Sequence, residues 1–283
     1  YYGVWLKHLA LLERSGLSTT PRIVAELGPG DALGVGIAAL LSGAERYYAL
    51  DVIEHAAQAE NLAALDVIAG LLRTRAARPK KGWPDFDVLL DERLFAGRVL
   101  TEARLAASLT PARLDAIARQ LRGETRDDDA VRLQYRVPWF AAGVVEQGSV
   151  DLVLSQAVLE HIDDIEHTYA ALYRWLRPGG VMSHQIDFGS HELTSEFNGY
   201  RAIPEPVWTL MRGRRPYFIN RIPASEHVRV MERCGFEVLS VQNRLRDDGI
   251  DRGRLATRWR DLGDEDLCSA EMFVQARKPV RIA

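Results

Sequence analysis

The 283-residue sequence predicts an α/β fold whose sheet contains parallel strands. Three features of the first sixty residues carry this prediction: a short strand-like run at 22–27, a glycine turn at 28–30, and a second strand-like run at 46–52. Residues 32–41, between the turn and the second run, are small, apolar and compatible with a helix. A strand, a tight turn, a helix and another strand form a βαβ unit, in which the two strands run parallel.

The later part of the chain continues the same pattern. Residues 150–155 are almost continuously apolar, which is typical of a strand that is buried on both faces of a sheet. A helix is predicted at 165–176, directly after this strand. Further strands are predicted at 131–135, 181–188, 236–241 and 271–276.

Two longer segments lie between the predicted strands. Residues 61–129 are rich in alanine, leucine and arginine, and Thr110 followed by Pro111 is a typical helix start. We interpret this segment as a helical insertion after the second strand. Residues 184–233 follow the fifth strand and are predicted to form the substrate side of a single domain that spans 1–283.

Composition excludes several classes of protein. The formal net charge of -3 disfavours nucleic acid as a partner. No apolar run approaches the roughly 20 residues that a membrane-spanning helix needs, so no membrane association is expected. Cys234 and Cys268 are too few for a disulfide framework, and reduced thiols predict a cytoplasmic protein.

The glycine turn indicates a cofactor that carries adenosine. Gly28 and Gly30 allow the backbone to approach a ligand closely, and Asp51 follows about 20 residues later, where an acid binds ribose hydroxyls. A nicotinamide dinucleotide remains an alternative on this evidence. Two details disfavour it: Gly34 makes the glycine spacing one residue too long, and Glu26 would repel a pyrophosphate but suits a cationic amino-acid group.

Three segments resemble motifs of class I S-adenosylmethionine-dependent methyltransferases. Residues 26–31 resemble the first motif of that family, while 151–162 and 176–182 resemble the fourth-strand motif and the following turn of its type 11 subgroup. The resemblance implies a Rossmann-like, mostly parallel sheet of seven strands with a reversed last strand and helices on both faces. It also implies S-adenosylmethionine as the cofactor and a substrate at the carboxyl ends of the strands.

The resemblance also implies a set of site residues, with one departure. The family usually has an acid after the third strand that meets the adenine, but residues 135–140 contain none. Trp139 is therefore predicted to stack against the adenine, with a purely structural core position as the alternative. The other implied residues are Glu26, Gly28 and Gly30 around the methionine part, with Pro29 in the same turn, Asp51 at the ribose, and Ser155 and Gln156 beside the transferred methyl group.

Candidates for a general base lie near the end of the fifth strand. A hydroxyl acceptor needs a base whereas a neutral amine does not, and His184 and Asp187 are the predicted catalytic residues. The alternative is a hydrogen-bonded histidine and a loop cap. His161 is predicted to have an orienting or structural role rather than a catalytic one. The spacing of His184, Asp187 and His191 fits no usual zinc pattern, so no metal site is predicted.

The predicted function is O- or N-methylation of a small molecule by S-adenosylmethionine. Four arginines among aromatic residues suggest an anionic or sugar-bearing acceptor, with a solvated surface as the alternative. A nucleic-acid or protein methyltransferase, or a catalytically silent subunit that binds S-adenosylmethionine, remains an alternative function. The four arginines are Arg212, Arg214, Arg215 and Arg221.

Overall fold

A seven-stranded sheet forms the centre of the chain, as seen in a computed structural model that describes residues 1–78, 95–215 and 217–280. The strands are β1 (Ile23–Leu27), β2 (Arg46–Leu50), β3 (Arg132–Arg136), β4 (Val150–Gln156), β5 (Leu176–Asp187), β6 (Glu237–Leu245) and β7 (Ser269–Arg277). Their order in the sheet is β3-β2-β1-β4-β5-β7-β6. Of these seven strands only β7 runs antiparallel to its neighbours, so the predicted mostly parallel sheet with a reversed last strand is confirmed.

Helices cover both faces of this sheet, as predicted. One face is packed by α1 (Tyr2–Arg14), α2 (Gly34–Leu41) and helices of the predicted insertion, and the other is packed by α6 (Ile165–Trp175) and α8 (Ala224–Arg233). No helix among the described residues is long and apolar enough to cross a membrane. The remaining helices are α3 (Gln58–Arg73), α4 (Glu102–Ser108), α5 (Pro111–Arg122), α7 (Glu205–Arg212) and α9 (Asp264–Cys268).

The insertion after β2 packs over α2. Three of its helices, α3, α4 and α5, contact α2, and their apolar residues join the same core as Trp5 of α1. Arg104 donates to the carbonyl of Ser42 and Arg113 to that of Leu40, which places two cations at the carboxyl end of α2. Residues 79–94 of the predicted insertion lie outside the described residues.

Helix α5 begins as its sequence predicts. The side chain of Thr110 accepts a hydrogen bond from the backbone N–H of Arg113, and Pro111 occupies the first helical position. The helix ends at Gly123, whose φ of 77° is the left-handed conformation that commonly ends helices. Local signals therefore determine both ends of this helix.

Candidate cofactor and substrate site

A cavity of about 470 Å³ lies at the carboxyl ends of β1, β2 and β4. The strand order reverses at β1, because β2 lies on one side of it and β4 on the other. Ligands of open α/β sheets bind at such a reversal. The lining residues are Leu27, Gly28, Gly30, Leu50, Asp51, Val52, His55, Trp139, Phe140, Ala157, Val158, His161, Ile162, Asp163 and Tyr217.

The glycine turn after β1 forms one wall of the cavity. Gly28 and Gly30 have φ angles of 63° and 75°, a backbone conformation that residues with a side chain rarely adopt. A Cβ at Gly28 would lie 2.6 Å from a methyl group of Val158, whereas a Cβ at Gly30 would meet no protein atom within 4 Å. Gly30 therefore leaves open space against the backbone, as a closely bound cofactor requires.

Asp51 lies at the end of β2 and lines the cavity. Its Oδ1 accepts a 2.7 Å hydrogen bond from the backbone N–H of Val52. Burial raises the pKa of Asp51, and this hydrogen bond opposes the rise. The carboxylate is held in one orientation, from which it can accept hydrogen bonds from ribose hydroxyls.

Glu26 lies below the glycine turn and is not among the cavity-lining residues, nor is Pro29. The Glu26 side chain is 3% exposed and accepts a 2.6 Å hydrogen bond from the hydroxyl of Tyr47. Burial raises the pKa of Glu26 to about 7, and the Tyr47 hydrogen bond opposes this rise. The carboxylate would thus act on a cofactor through its charge, with the turn between them.

Trp139 lies both at the cavity wall, where stacking against adenine was predicted, and in the packed core, which was the alternative. It lines the cavity, yet it is only 7% exposed and meets Trp175 edge-on with ring centroids 6.0 Å apart. Its backbone N–H donates to the carbonyl of Asp51 at 2.7 Å, which fixes the loop after β3 beside the end of β2. Phe140, which sequence reasoning missed, also lines the cavity and is 60% exposed.

The predicted residues at the end of β4 make interstrand pairs with β5. The Oγ of Ser155 lies 2.8 Å from Nδ1 of His184, and Gln156 donates to Gln185 at 2.6 Å. Neither Ser155 nor Gln156 lines the cavity, which is reached instead by Ala157 and Val158. The cavity wall therefore begins one residue beyond the predicted pair.

The predicted catalytic pair does not line the cavity either. His184 is fully buried, and burial together with His227 lowers its pKa to about 3. Asp187 accepts a 2.7 Å hydrogen bond from the backbone N–H of Gly189, which caps the loop after β5. This geometry favours the alternative interpretation of a hydrogen-bonded histidine and a loop cap, and we propose neither as a general base.

A second part of the cavity wall is formed by the short turn Leu159–His161 after β4 and by the segment at 217–220. Asn220 joins them: its side-chain N–H groups donate to the carbonyls of Leu159 and Ile162 at 2.7 Å each, and its backbone N–H donates to the carbonyl of Glu160. Tyr217 lines the cavity from this segment with a φ of 63°. It is the one described residue of 184–233 on the cavity wall.

The four arginines that were predicted to recognise the acceptor do not form one cluster at the cavity. Arg221 is buried, lies 4.1 Å above the ring centroid of Trp208 and donates to Glu205 at 2.6 Å. Arg212 forms an ion pair with Asp163, which itself lines the cavity. Arg214 and Arg215 are exposed and do not line the cavity.

Replacing Asp51 with asparagine is expected to weaken S-adenosylhomocysteine binding roughly fivefold, or about 1 kcal/mol. The reason is that charge-assisted hydrogen bonds contribute about that much more than neutral ones. Isothermal titration measures the change. Asp31→Asn is the matched control, because Asp31 follows the same turn but is exposed and does not line the cavity. Equal affinities for the two variants would remove Asp51 from the cofactor site.

Comparison with known proteins gives one family match. Residues 101–183 match the family model described as a methyltransferase domain of the type 11 class. The matched residues run from the insertion through β3 and β4 into β5, and the glycine turn lies before them. No curated protein sequence matches the chain.

Three solved structures are similar in fold. An S-adenosylmethionine-dependent methyltransferase from Mesorhizobium loti is 15% identical, with a TM-score of 0.45 over 95% of this chain and 96% of that one. Phosphoethanolamine N-methyltransferase 2 from Haemonchus contortus, in complex with S-adenosylmethionine, is 16% identical, with a TM-score of 0.48 over 97% of this chain and 53% of that one. The [4+2]-cyclase SpnF is 11% identical, with a TM-score of 0.46 over 97% of this chain and 80% of that one.

The sheet agrees with the resemblance that the sequence motifs carry. It has the implied seven strands with a reversed last strand, and Gly30 and Asp51 line the cavity at the point where the strand order reverses. Residues 101–183 thus match a type 11 methyltransferase domain, and the described chain has the Rossmann-like fold that the resemblance to class I S-adenosylmethionine-dependent methyltransferases implied.

Proposed function

We propose that the chain transfers a methyl group from S-adenosylmethionine to an oxygen or nitrogen of a small molecule. The observation that carries this proposal is one cavity of about 470 Å³ whose lining includes the glycine turn, Asp51, His161 and Tyr217. Cavities of this size take small ligands and cofactors. The cofactor supplies an electrophilic methyl group, so the protein has to bind and orient the acceptor.

The lining of the cavity supports a neutral polar acceptor. No arginine or lysine is among the described residues that line it. An anionic acceptor would therefore depend on a cation from outside this lining, whereas a hydroxyl or sugar fits the imidazole of His161 and the carboxylate of Asp163. Tyr217 and Phe140 add flat apolar surface, which small-molecule sites combine with a few polar groups.

The proposal is tested by following transfer of a labelled methyl group from S-adenosylmethionine to four acceptor pools. The pools are a cell extract filtered to small molecules, total RNA, sheared DNA and denatured protein. We expect label in the small-molecule pool alone. Label in RNA, DNA or protein would favour a macromolecular acceptor. S-adenosylhomocysteine binding without transfer to any pool would favour a silent subunit.

Replacing Tyr217 with alanine is expected to reduce methyl transfer by roughly tenfold while S-adenosylhomocysteine affinity stays within about twofold. Tyr217 contributes to the wall that carries His161, and the glycine turn and Asp51 are unchanged. Val207→Ala serves as the control, because Val207 is 47% exposed on α7 and does not line the cavity. A parallel loss of cofactor affinity in Tyr217→Ala would place this residue at the cofactor instead.

A further inference from the structure

We propose that Glu160, His161 and His191 form a binding site for a divalent transition-metal ion beside the cavity. Glu160 and His161 lie in the short 3-10 turn after β4, and His191 lies in the loop after β5. One ligand atom from each of the three lies within 4.8 Å of the others. The carboxyl ends of two neighbouring strands thus bring together three donors, one of which is distant in sequence from the other two.

The state of Glu160 points to a cation. This side chain is 3% exposed, and neither of its carboxylate oxygens accepts a hydrogen bond of good geometry. The backbone N–H groups of Glu160 and Asp187 interact with this carboxylate but do not form hydrogen bonds of good geometry, and a buried carboxylate with such weak partners is costly. A positive ion between Glu160 and the two imidazoles would supply a stronger partner.

The two histidines are suited to act as ligands. Nδ1 of His161 is buried without a hydrogen-bond partner, while the backbone of Tyr217 forms a hydrogen bond with the same ring. Metal-bound histidines commonly fix their orientation in this way, with one ring nitrogen on the ion and the other on a backbone or carboxylate oxygen.

Asp187 lies next to this cluster. Its Oδ2 is 3.8 Å from Nε2 of His191, so a second carboxylate is within reach of the same ion. His191 and Glu192 have φ angles of 48° and 66°, and such strained residues occur where a loop is held for function. Two imidazoles with one or two carboxylates suit zinc, manganese or ferrous iron better than the all-oxygen sites of calcium and magnesium.

The position of the cluster indicates what the ion would do. His161 also lines the cavity, so an open coordination position would face the methyl acceptor. This role rests on the proposed function. A hydroxyl that coordinates the ion is more acidic. Its proton passes to water, its oxygen bonds to the methyl carbon, and the carbon–sulfur bond breaks with its electron pair left on sulfur.

The experiment uses the full chain after dialysis against a chelator. Isothermal titration with Zn²⁺, Mn²⁺ and Mg²⁺ is run without S-adenosylmethionine, and S-adenosylhomocysteine is titrated separately. We expect one equivalent of Zn²⁺ or Mn²⁺ to bind, and Mg²⁺ to bind more weakly. Metal binding without S-adenosylhomocysteine binding would overturn the proposed function alone, and the reverse result would overturn the metal site alone.

A matched pair of double variants identifies the ligands. Glu160→Gln with His161→Gln removes two donors and is expected to weaken metal binding more than roughly a hundredfold, since even neighbours of ligands contribute ten- to hundredfold. Glu166→Gln with His167→Gln changes an adjacent Glu-His pair that is exposed on α6, and it should leave metal affinity unchanged. Equal metal affinity in the two double variants would overturn the proposed site.

A second measurement covers the case in which the first double variant does not fold. The wild-type protein with Mn²⁺ is examined by electron paramagnetic resonance before and after modification of histidines by diethyl pyrocarbonate. We expect a bound Mn²⁺ signal with nitrogen hyperfine coupling. A signal identical to free aqueous Mn²⁺, together with no Zn²⁺ binding, would show that no such site exists.

Discussion

Replacing Gly30 with alanine is expected to weaken S-adenosylhomocysteine binding by at least roughly tenfold, or about 1.4 kcal/mol. The added methyl group would meet no protein atom within 4 Å at a residue that lines the cavity, so we expect it to occupy space that the cofactor needs close to the turn. Insertion of even one carbon into a closely packed contact costs about 1–3 kcal/mol. Isothermal titration with S-adenosylhomocysteine measures the loss.

Gly16→Ala is the control that separates strain from steric exclusion. Gly16 follows α1 and has a φ of 67°, and a Cβ added there would likewise meet no atom within 4 Å, but Gly16 does not line the cavity. Both variants place alanine in the left-handed region, so both should lose about 1–2 kcal/mol of unfolding free energy. Only Gly30→Ala should lose cofactor affinity. If both variants bind S-adenosylhomocysteine like the wild type, the cofactor does not approach the turn at Gly30.

The sequence was sufficient for the architecture because periodic and local signals specify it. The apolar run of β4, the glycine turn after β1 and the Thr-Pro start of α5 each act over a few residues. Strand boundaries were less exact. β5 begins at Leu176, and the turn predicted at Pro178, Gly179 and Gly180 is an irregularity within this strand. Val150 pairs with Leu176 and Leu152 with Val181, and Gly179 between them has a φ of 78°.

The residues that we expect at the cofactor could be predicted from the positions of two motifs, the glycine turn after β1 and the acid at the end of β2. Gly28, Gly30 and Asp51 are adjacent in the structure because β1 and β2 are neighbouring parallel strands whose ends lie at one edge. The side-chain directions within β4 could not be predicted in the same way. Ser155 and Gln156 pair with His184 and Gln185, since the register of β4 with β5 opposes these residues directly.

The part of the cavity that we propose for the substrate depends on contacts between segments that are distant in sequence. His161 follows β4, Tyr217 comes about 55 residues later, and Asn220 joins the two through backbone carbonyls. No spacing rule predicts such a contact, because its geometry is set by the path of a long loop. The same reason explains why the Glu160, His161 and His191 cluster was not anticipated: its members are adjacent in space only after β4 and β5 have paired.

Replacing Glu26 with glutamine is expected to change how the unfolding free energy depends on pH. Burial raises the pKa of Glu26 from 4.5 to about 7. Below pH 4.5 the folded and unfolded chains both keep the proton, and the stability that this proton contributes is fully present. Between pH 4.5 and 7 only the folded chain keeps it, so this contribution falls as the pH rises and is lost above about 7.

The size of the effect follows from the shift. At 1.36 kcal/mol per pKa unit, the wild type loses about 3 kcal/mol of unfolding free energy through this one group between pH 4.5 and 8. Glutamine stays neutral, and its oxygen can still accept the hydrogen bond from Tyr47. Denaturant titrations of the ligand-free protein should therefore give Glu26→Gln a higher unfolding free energy than the wild type at pH 8. Below pH 4.5 the two unfolding free energies should be equal.

The ionised Glu26 carboxylate, which lowers the stability of the fold, is expected to strengthen cofactor binding. Above pH 7 the Glu26 carboxylate is ionised below the turn, where it attracts the ammonium group of S-adenosylhomocysteine and strengthens binding. Wild-type affinity should therefore rise between pH 6 and 8, whereas the affinity of Glu26→Gln should change less. Glu45→Gln is the control, because Glu45 pairs with Arg22 at the surface and its pKa is lowered. A gain in stability at pH 8 with no change in the pH dependence of affinity would show that Glu26 serves the fold alone.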